Sequence, residues 1–187
     1  MKKRLGFDLI LLGDSTSGKD TQANLLAKQY RVRLARSGHY LRQLKSYKYR
    51  GGVPAPTSLI IPFLNYYLKN LSWHRNIIFV GAARLKHEAE YLVKHLKQRN
   101  RDFFVLYIKI PKSEIIKRSK RRAERLEDTS LTLINSRIAY YKTKVSKTVK
   151  FYQTLKKIKF INGNQSIKAV HHDIINAIHD YQRSKRN

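Results

Sequence analysis

A short glycine-rich segment contains the residues whose types and spacing could do chemistry. It reads GDSTSGKDT, and Gly13, Gly18 and Lys19 have the spacing G-x-x-x-x-G-K. Glycines let the backbone curl so that several N–H groups point inward, the next helix adds the positive end of its dipole, and lysine adds a point charge. The segment lies between an apolar run and a helical stretch, which is the context that this pattern requires. It therefore predicts a binding site for the phosphates of a nucleotide.

The residue after the lysine departs from the usual pattern. A serine or threonine is expected there, where its hydroxyl binds the magnesium ion that accompanies the phosphates, but this chain has Asp20 followed by Thr21. Thr21 either serves the metal or caps the helix, and both interpretations are open at this point. Asp20 either disturbs the site or supplies a carboxylate to it through water.

Strands separated by helices must position this loop. Apolar runs at 5–12, 77–80 and 103–110 are short and bounded by turn residues, as is typical of strands buried in a parallel sheet. Weaker runs at 32–35 and 159–161 predict two more strands. Helical periodicity fills the intervals, so the sequence predicts a three-layer α/β fold with a five-stranded parallel sheet.

The helical stretches differ in what they are expected to do. The first, from about Lys19 to Tyr30, follows the loop directly. The last places Ile167, Val170, Ile174, Ile178 and Tyr181 on one apolar stripe, which predicts packing against the sheet. Between the second and third strands, residues 37–73 carry two helical stretches interrupted by prolines, which forbid one continuous helix. We expect a helical insert there.

Composition limits the classes of function. The 187 residues suit a single domain, 1–187. Forty Lys and Arg against 12 Asp and Glu give a net charge of +28, which is expected of a nucleic-acid-binding protein or of an enzyme whose cleft holds two polyphosphates. The charge is spread along the chain, so we rank nucleic acid second. The absence of cysteine excludes disulfides, and no apolar run approaches a membrane span. We expect a cytoplasmic monomer without membrane contact.

Four segments resemble, in order, those of adenylate kinases and related nucleoside monophosphate kinases. The loop GDSTSGKDTQ is similar to their G-x-P-G-S-G-K-G-T-Q, and some members read S-G-K-D-T. The stretch SGHYLR resembles S-T-G-D-L-L-R, GVP resembles L-V-P, and GAARLKHEAE resembles G-F-P-R-T-x-x-Q-A-E. Further on, RLED resembles the G-R-x-D-D of a lid. The resemblance implies a P-loop kinase with a helical NMP-binding insert at 37–73 and a short lid at 119–129.

The same resemblance implies a role for each matching residue. The enzyme would transfer the γ-phosphoryl group of ATP, bound with Mg²⁺, to a nucleoside monophosphate, with AMP the first acceptor expected and CMP the second. The catalytic cations would be Lys19, Arg84, Arg122, Arg125 and Arg137. The ATP-binding residues would be Gly13, Asp14, Ser15, Thr16, Ser17, Gly18, Lys19, Asp20, Thr21 and Arg118. The acceptor-binding residues would be Ser37, Gly38, Arg42, Val53, Gly81, Arg84 and Glu88.

Two departures from the family pattern bear on activity and specificity. The family has an aspartate, which organises the magnesium waters, where this chain has Val80; we expect Asp20 to replace it through water, and Asp14 is the second candidate. The alternative is a catalytically degenerate nucleotide-binding relative, or a basic nucleic-acid-binding protein on the same fold. Glu88 replaces the glutamine that reads adenine, and a carboxylate accepts from an exocyclic amino group but cannot donate.

Overall fold

The computed structural model describes residues 2–44, 55–72, 74–122 and 130–185. The strands are β1 (Asp8–Gly13), β2 (Val32–Arg36), β3 (Asn76–Val80), β4 (Phe103–Lys109) and β5 (Ile158–Asn162). The helices are α1 (Lys19–Gln29), α2 (Ser37–Gln43), α3 (Thr57–Lys69), α4 (Lys86–Lys97), α5 (Lys112–Arg122), α6 (Leu131–Tyr140), α7 (Ser146–Thr154) and α8 (Ile167–Arg183). A π-helical turn, Tyr141–Val145, joins α6 to α7.

The strands form one parallel sheet in the order β2-β3-β1-β4-β5. All six residues of the central strand β1 are buried, because helices cover both faces of the sheet. Alternate side chains enter opposite layers: Ile10 and Leu12 pack in the core shared with α3, α4 and α7, whereas Leu9 and Leu11 pack in the core shared with α1 and α8. The predicted three-layer α/β class is therefore confirmed.

Two details differ from the sequence-based expectation. The first apolar run begins at Leu5, but the strand begins at Asp8, because Gly6 has a φ of 86° and breaks the extended conformation. Ile167 was expected on the buried stripe of the last helix, yet it is 59% exposed, because it is the first residue of α8 and lies beyond the edge of the core. Val170, Ile174 and Ile178 are buried as predicted.

A buried ion pair fixes the amino end of β1. The Asp8 carboxylate accepts bonds from Arg101 Nε at 2.9 Å and Nη2 at 2.7 Å, and from the Ile77 backbone N–H at 2.7 Å. Arg101 Nη1 also donates to the Ser72 carbonyl at 2.9 Å. These bonds join the starts of β1, β3 and β4. The three strands are thereby held in register at the end of the sheet opposite the loop that follows β1.

The predicted insert, 37–73, contains α2 and α3, but residues 45–54 and 73 of it lie outside the described residues. Of the predicted lid, 119–129, the structure describes 119–122, which form the last turn of α5. Within the four described ranges, no helix is long and apolar enough to cross a membrane.

Candidate functional site

The glycine-rich loop connects the carboxyl end of β1 to the first turn of α1. Gly13 must lack a side chain, because a Cβ there would lie 2.4 Å from the carbonyl oxygen of Ile108 on β4. Gly18, the N-cap of α1, has a left-handed φ of 85°, which only glycine adopts without strain. Thr16 also has a positive φ, of 56°. These three positions curl the backbone around the start of α1, as the spacing of the glycines predicts.

Lys19 lies folded against the inside of the loop. Its Nζ donates to the carbonyl oxygens of Gly13 at 2.8 Å and Asp14 at 2.6 Å, and to the Ser17 hydroxyl at 3.2 Å. Burial, reinforced by the Arg84 guanidinium, lowers the pKa of the Lys19 ammonium. Among the described residues, this half-buried cation bonds only neutral oxygens, and it is poised to bind an anion because a phosphate would supply the charge that carbonyls lack.

The Asp14 carboxylate clamps the loop to the neighbouring strand. It accepts a bond from the Tyr107 hydroxyl at 2.6 Å and another from the Ile110 backbone N–H at 2.9 Å. The Asp14 N–H in turn donates to the Ile108 carbonyl at 3.0 Å. Burial and the Asp14 carboxylate both raise the pKa of Tyr107, so this hydroxyl stays protonated and continues to donate. The role of the Asp14 side chain that the structure supports is to hold the loop in shape.

Cations from three elements surround the loop. Arg84 follows β3, Lys19 begins α1, and Arg137 belongs to α6. The positive charge of each of these three residues lowers the pKa of the Tyr141 hydroxyl. Burial raises the pKa of Tyr141, but the positive charges of Arg84, Lys19 and Arg137 outweigh burial and lower it overall. The Arg84 guanidinium carbon lies 5.9 Å from the centre of the Tyr141 ring. The structure therefore brings Lys19, Arg84 and Arg137 together around Tyr141.

Sequence reasoning missed Tyr141. The residue lies four positions after Arg137, at the junction of α6 and the π-helical turn, so both side chains project from the same helical face. That spacing was the available signal. It was hidden because tyrosine is common in this chain, with 12 residues, and one more tyrosine next to Tyr140 did not stand out.

The acceptor-side residues cluster where β3 ends and α2 begins. The Gly81 carbonyl accepts bonds from the Ser37 hydroxyl at 2.9 Å and from Arg84 Nε at 2.6 Å. Gly38 leaves space for a guanidinium, since a Cβ there would lie 3.4 Å from Arg42 Nη1. Ser37 thus joins α2 to the β3 end. Val53, predicted to line the acceptor base, lies outside the described residues.

Glu88 is buried at the start of α4, where its carboxylate has two protein partners. One oxygen accepts the N–H of Leu85, the N-cap of α4, at 3.2 Å, and the other accepts the Thr57 hydroxyl at 3.1 Å. Each carboxylate oxygen has two acceptor positions, so both can accept a further donor. Glu88 therefore joins α3 to α4 and retains acceptor capacity for a base amino group.

The predicted adenine-side arginines lie on α5, next to the loop. Arg118 donates to Glu114 at 2.7 Å and to the Gly163 carbonyl, after β5, at 3.1 Å. Thr16 of the loop donates to the Ile115 carbonyl of the same helix at 3.4 Å. Arg122 is half-buried in the last described turn of α5. Arg125 lies outside the described residues.

The residues near the loop fit a magnesium ion carried mainly by a nucleotide. Asp20 is exposed in the first turn of α1, directly after Lys19, and Thr21 beside it is also exposed. Oxygen ligands and retained waters are what Mg²⁺ prefers. The part of the chain that the structure describes has no group of three or more His, Cys, Asp or Glu side chains able to hold a metal. Val80 ends β3 with a buried apolar side chain.

Comparison with known proteins relates this geometry to a family. No family model matches the chain. The chain is 26% identical over 185 residues to the adenylate kinase of Bacteroides thetaiotaomicron, which covers 91% of this chain and 97% of that protein. It is 26% identical over 181 residues to the adenylate kinase of Trichodesmium erythraeum, which covers 87% of this chain and 92% of that protein. It is 26% identical over 191 residues to the adenylate kinase of a Synechococcus strain, which covers 94% of this chain and 98% of that protein.

These similarities extend over nearly the whole of each protein and accompany a five-stranded parallel sheet with a glycine-rich loop after its central strand. Sequence and fold are together consistent with a member of the adenylate kinase and nucleoside monophosphate kinase family.

Proposed function

We propose that this protein is an ATP-dependent nucleoside monophosphate kinase, with AMP the first acceptor expected and CMP the second. The observation that carries the proposal is the convergence of Lys19, Arg84 and Arg137 at the ends of β1 and β3. Phosphoryl transfer needs positioning and charge neutralisation more than covalent chemistry, and half-buried cations from separate elements supply both. The similarity to adenylate kinases over 91% of the chain supports the same reaction class.

In the proposed mechanism, the cationic residues act on the donor, on the acceptor and on the transferring group. The loop amides and Lys19 hold the β and γ phosphates of ATP, and Arg118 borders the adenine. Arg42 and Arg84 orient the phosphate of the acceptor. The remaining catalytic arginines, Arg122, Arg125 and Arg137, surround the transferring group. The insert, 37–73, and the lid, 119–129, close over the substrates and exclude water, which prevents hydrolysis of ATP.

The reaction is an in-line displacement at the γ phosphorus. An oxygen of the acceptor phosphate forms the new bond, the bond from the γ phosphorus to the β–γ bridging oxygen breaks, and ADP leaves with that oxygen. No general base is required, because the attacking phosphate oxygen is already anionic. When bound with ATP, Mg²⁺ neutralises charge on the donor phosphates. Asp20 would hold the ion through water from the first turn of α1.

Glu88 favours acceptor nucleotides whose base carries an amino group, because its carboxylate can accept a hydrogen bond from that group. Its carboxylate accepts from the Leu85 N–H and the Thr57 hydroxyl, and each of its oxygens can accept one more donor. AMP and CMP present such an amino group, whereas UMP and dTMP present a carbonyl oxygen that a carboxylate repels. AMP ranks first because the similar proteins are adenylate kinases.

A coupled assay with ATP·Mg and one monophosphate at a time tests the proposal. AMP, CMP, UMP, GMP and dTMP are each offered, and we expect ADP formation with AMP and none without an acceptor. Lys19→Met should lower kcat/KM by ~10²-fold or more, because one preorganised charge is lost. Its thermal unfolding, measured in parallel, must stay close to wild type. ADP formation that does not depend on any acceptor would contradict the proposal.

Val80 favours a second candidate, a nucleotide-binding protein with little or no turnover. It ends β3 without the family's carboxylate. This candidate predicts that calorimetry detects ATP binding that Lys19→Met abolishes, while none of the five acceptors gives ADP. Asp20→Asn separates the two candidates further. If Asp20 replaces the lost carboxylate, this substitution raises the Mg²⁺ concentration needed for half-maximal turnover.

A further inference from the structure

A second cavity lies on the outer edge of the sheet. It has a volume of about 530 Å³ and is enclosed by the edge strand β2 and by α2 and α3. We call it the β2 edge pocket and define it by Arg36, His39, Tyr40, Gln43, Tyr66 and Tyr67.

The β2 edge pocket is distinct from the acceptor site. Gly38 and Arg42 are four residues apart on one face of α2, next to the end of β3. His39 and Gln43 are also four residues apart and are bonded to each other at 3.0 Å, but they lie about 100° around the helix. Neither Gly38 nor Arg42 lines the cavity. Separate faces of α2 therefore serve the two sites.

Aromatic rings and Arg36 form the wall of this pocket, and Arg33 lies next to two of the rings. Tyr66 is 57% exposed, although a tyrosine ring at the surface gains nothing from water. The Arg33 guanidinium carbon lies 5.1 Å from the ring centre of Tyr66 and 4.6 Å from that of Tyr67. None of the described residues that line the cavity is acidic. The wall thus offers flat apolar surfaces within a region of positive charge.

Arg36 adds a buried donor to the same wall. One end of its guanidinium donates to Asn24, but its Nε is buried and has no hydrogen-bond partner among the residues that the structure describes. A buried N–H without an acceptor costs ~1–3 kcal/mol. The side chain as a whole is only half-buried, so other N–H groups of the Arg36 guanidinium can donate to a ligand oxygen in the cavity. The pocket therefore favours a ligand with both a planar ring and an anionic oxygen.

We propose that the β2 edge pocket binds single-stranded nucleic acid, with one base against the exposed ring of Tyr66 and the neighbouring phosphates on Arg33 and Arg36. Aromatic platforms with arginines alongside are the general means of binding unpaired strands, because every base has a face that stacks. The net charge of +28 favours a polyanion over a small ligand. A duplex fits less well, because its bases are already stacked and cannot enter the cavity. This site goes beyond the proposed kinase activity and does not depend on it.

Fluorescence anisotropy with a labelled single-stranded homopolymer and the full chain tests this proposal. We expect Tyr66→Ala to weaken binding roughly 10- to 100-fold, the effect of removing one stacking side chain. The matched control is Phe160→Ala, because Phe160 is an aromatic residue 43% exposed on the opposite edge strand, β5. Phe160→Ala should leave affinity within about twofold of wild type. Arg33→Gln should weaken binding more than Arg183→Gln, which removes the same charge from the end of α8.

Three results would overturn the proposal. Equal affinity of Tyr66→Ala and Phe160→Ala would mean that charge alone attracts the strand. Duplex binding as tight as single-strand binding would remove the role of the pocket. Binding of a mononucleotide or an acidic peptide that equals oligonucleotide binding and depends equally on Tyr66 would assign the pocket to that ligand instead. Kinase turnover of Tyr66→Ala is measured separately, and its loss or retention bears only on the proposed kinase function.

Discussion

Asparagine in place of Asp14 tests whether this carboxylate clamps the loop or serves the metal. Asparagine has the same shape but no charge: its oxygen can accept the Ile110 N–H, now at 2.9 Å, and its amide N–H can donate to the Tyr107 oxygen, now at 2.6 Å. A hydrogen bond to a charged group contributes ~1.5–3 kcal/mol and a neutral one ~0.5–1.5 kcal/mol, so replacing two charged bonds by two neutral ones should cost about 2 kcal/mol. For a chain of this size, each kcal/mol lowers Tm by ~2–4 °C, which predicts a fall of roughly 6 °C.

The measurement is thermal and chemical unfolding without nucleotide, because the clamp acts whether or not substrate is bound. Tyr107→Phe removes the other partner, and the double variant should lose less stability than the two single variants combined, by about 1 kcal/mol. A role on the metal predicts the opposite pattern. If Asp14→Asn unfolds at the wild-type temperature but needs more Mg²⁺ for turnover, the clamp assignment is wrong.

Three further predictions concern the elements around the loop. Arg101→Met should lower the free energy of unfolding by ~3–5 kcal/mol in denaturant, because it leaves the Asp8 carboxylate buried without its partner. The double variant with Asp8→Leu should recover most of this loss. A double variant as unstable as Arg101→Met alone would contradict the buried-pair interpretation. Burial lowers the pKa of free Lys19 and bound phosphate would raise it, so ATP binding at alkaline pH should take up protons and weaken as pH rises. Calorimetry in buffers of different ionisation enthalpy measures this uptake, and Lys19→Arg should lack it. Gly13→Ala should abolish nucleotide binding, because its Cβ would lie 2.4 Å from the Ile108 carbonyl oxygen. Gly6→Ala is the control, because Gly6 also has a positive φ but lies in open space. It should cost only ~1–2 kcal/mol of stability and should still bind nucleotide.

The strands and the curl of the glycine-rich loop could be predicted because their signals are local. Glycine spacing determines the curl from Gly13 to Lys19, and apolar runs bounded by turns mark the strands. The Ile167 prediction was wrong because helical periodicity does not show where the sheet ends. Tyr141 was missed because its importance comes from Arg84 and Lys19, which are distant in sequence.

The sequence by itself determined the chemistry of the loop and the alternation of strands and helices, since both depend on residues within a few positions of each other. Only the tertiary structure decided what Asp14 does, because its partner Tyr107 is 93 residues away and reaches it through the pairing of β1 with β4. The β2 edge pocket likewise exists only because β2 is the edge strand and α2 and α3 fold against it. Strand order is set by the packing of the whole core, and no local pattern of residues contains it.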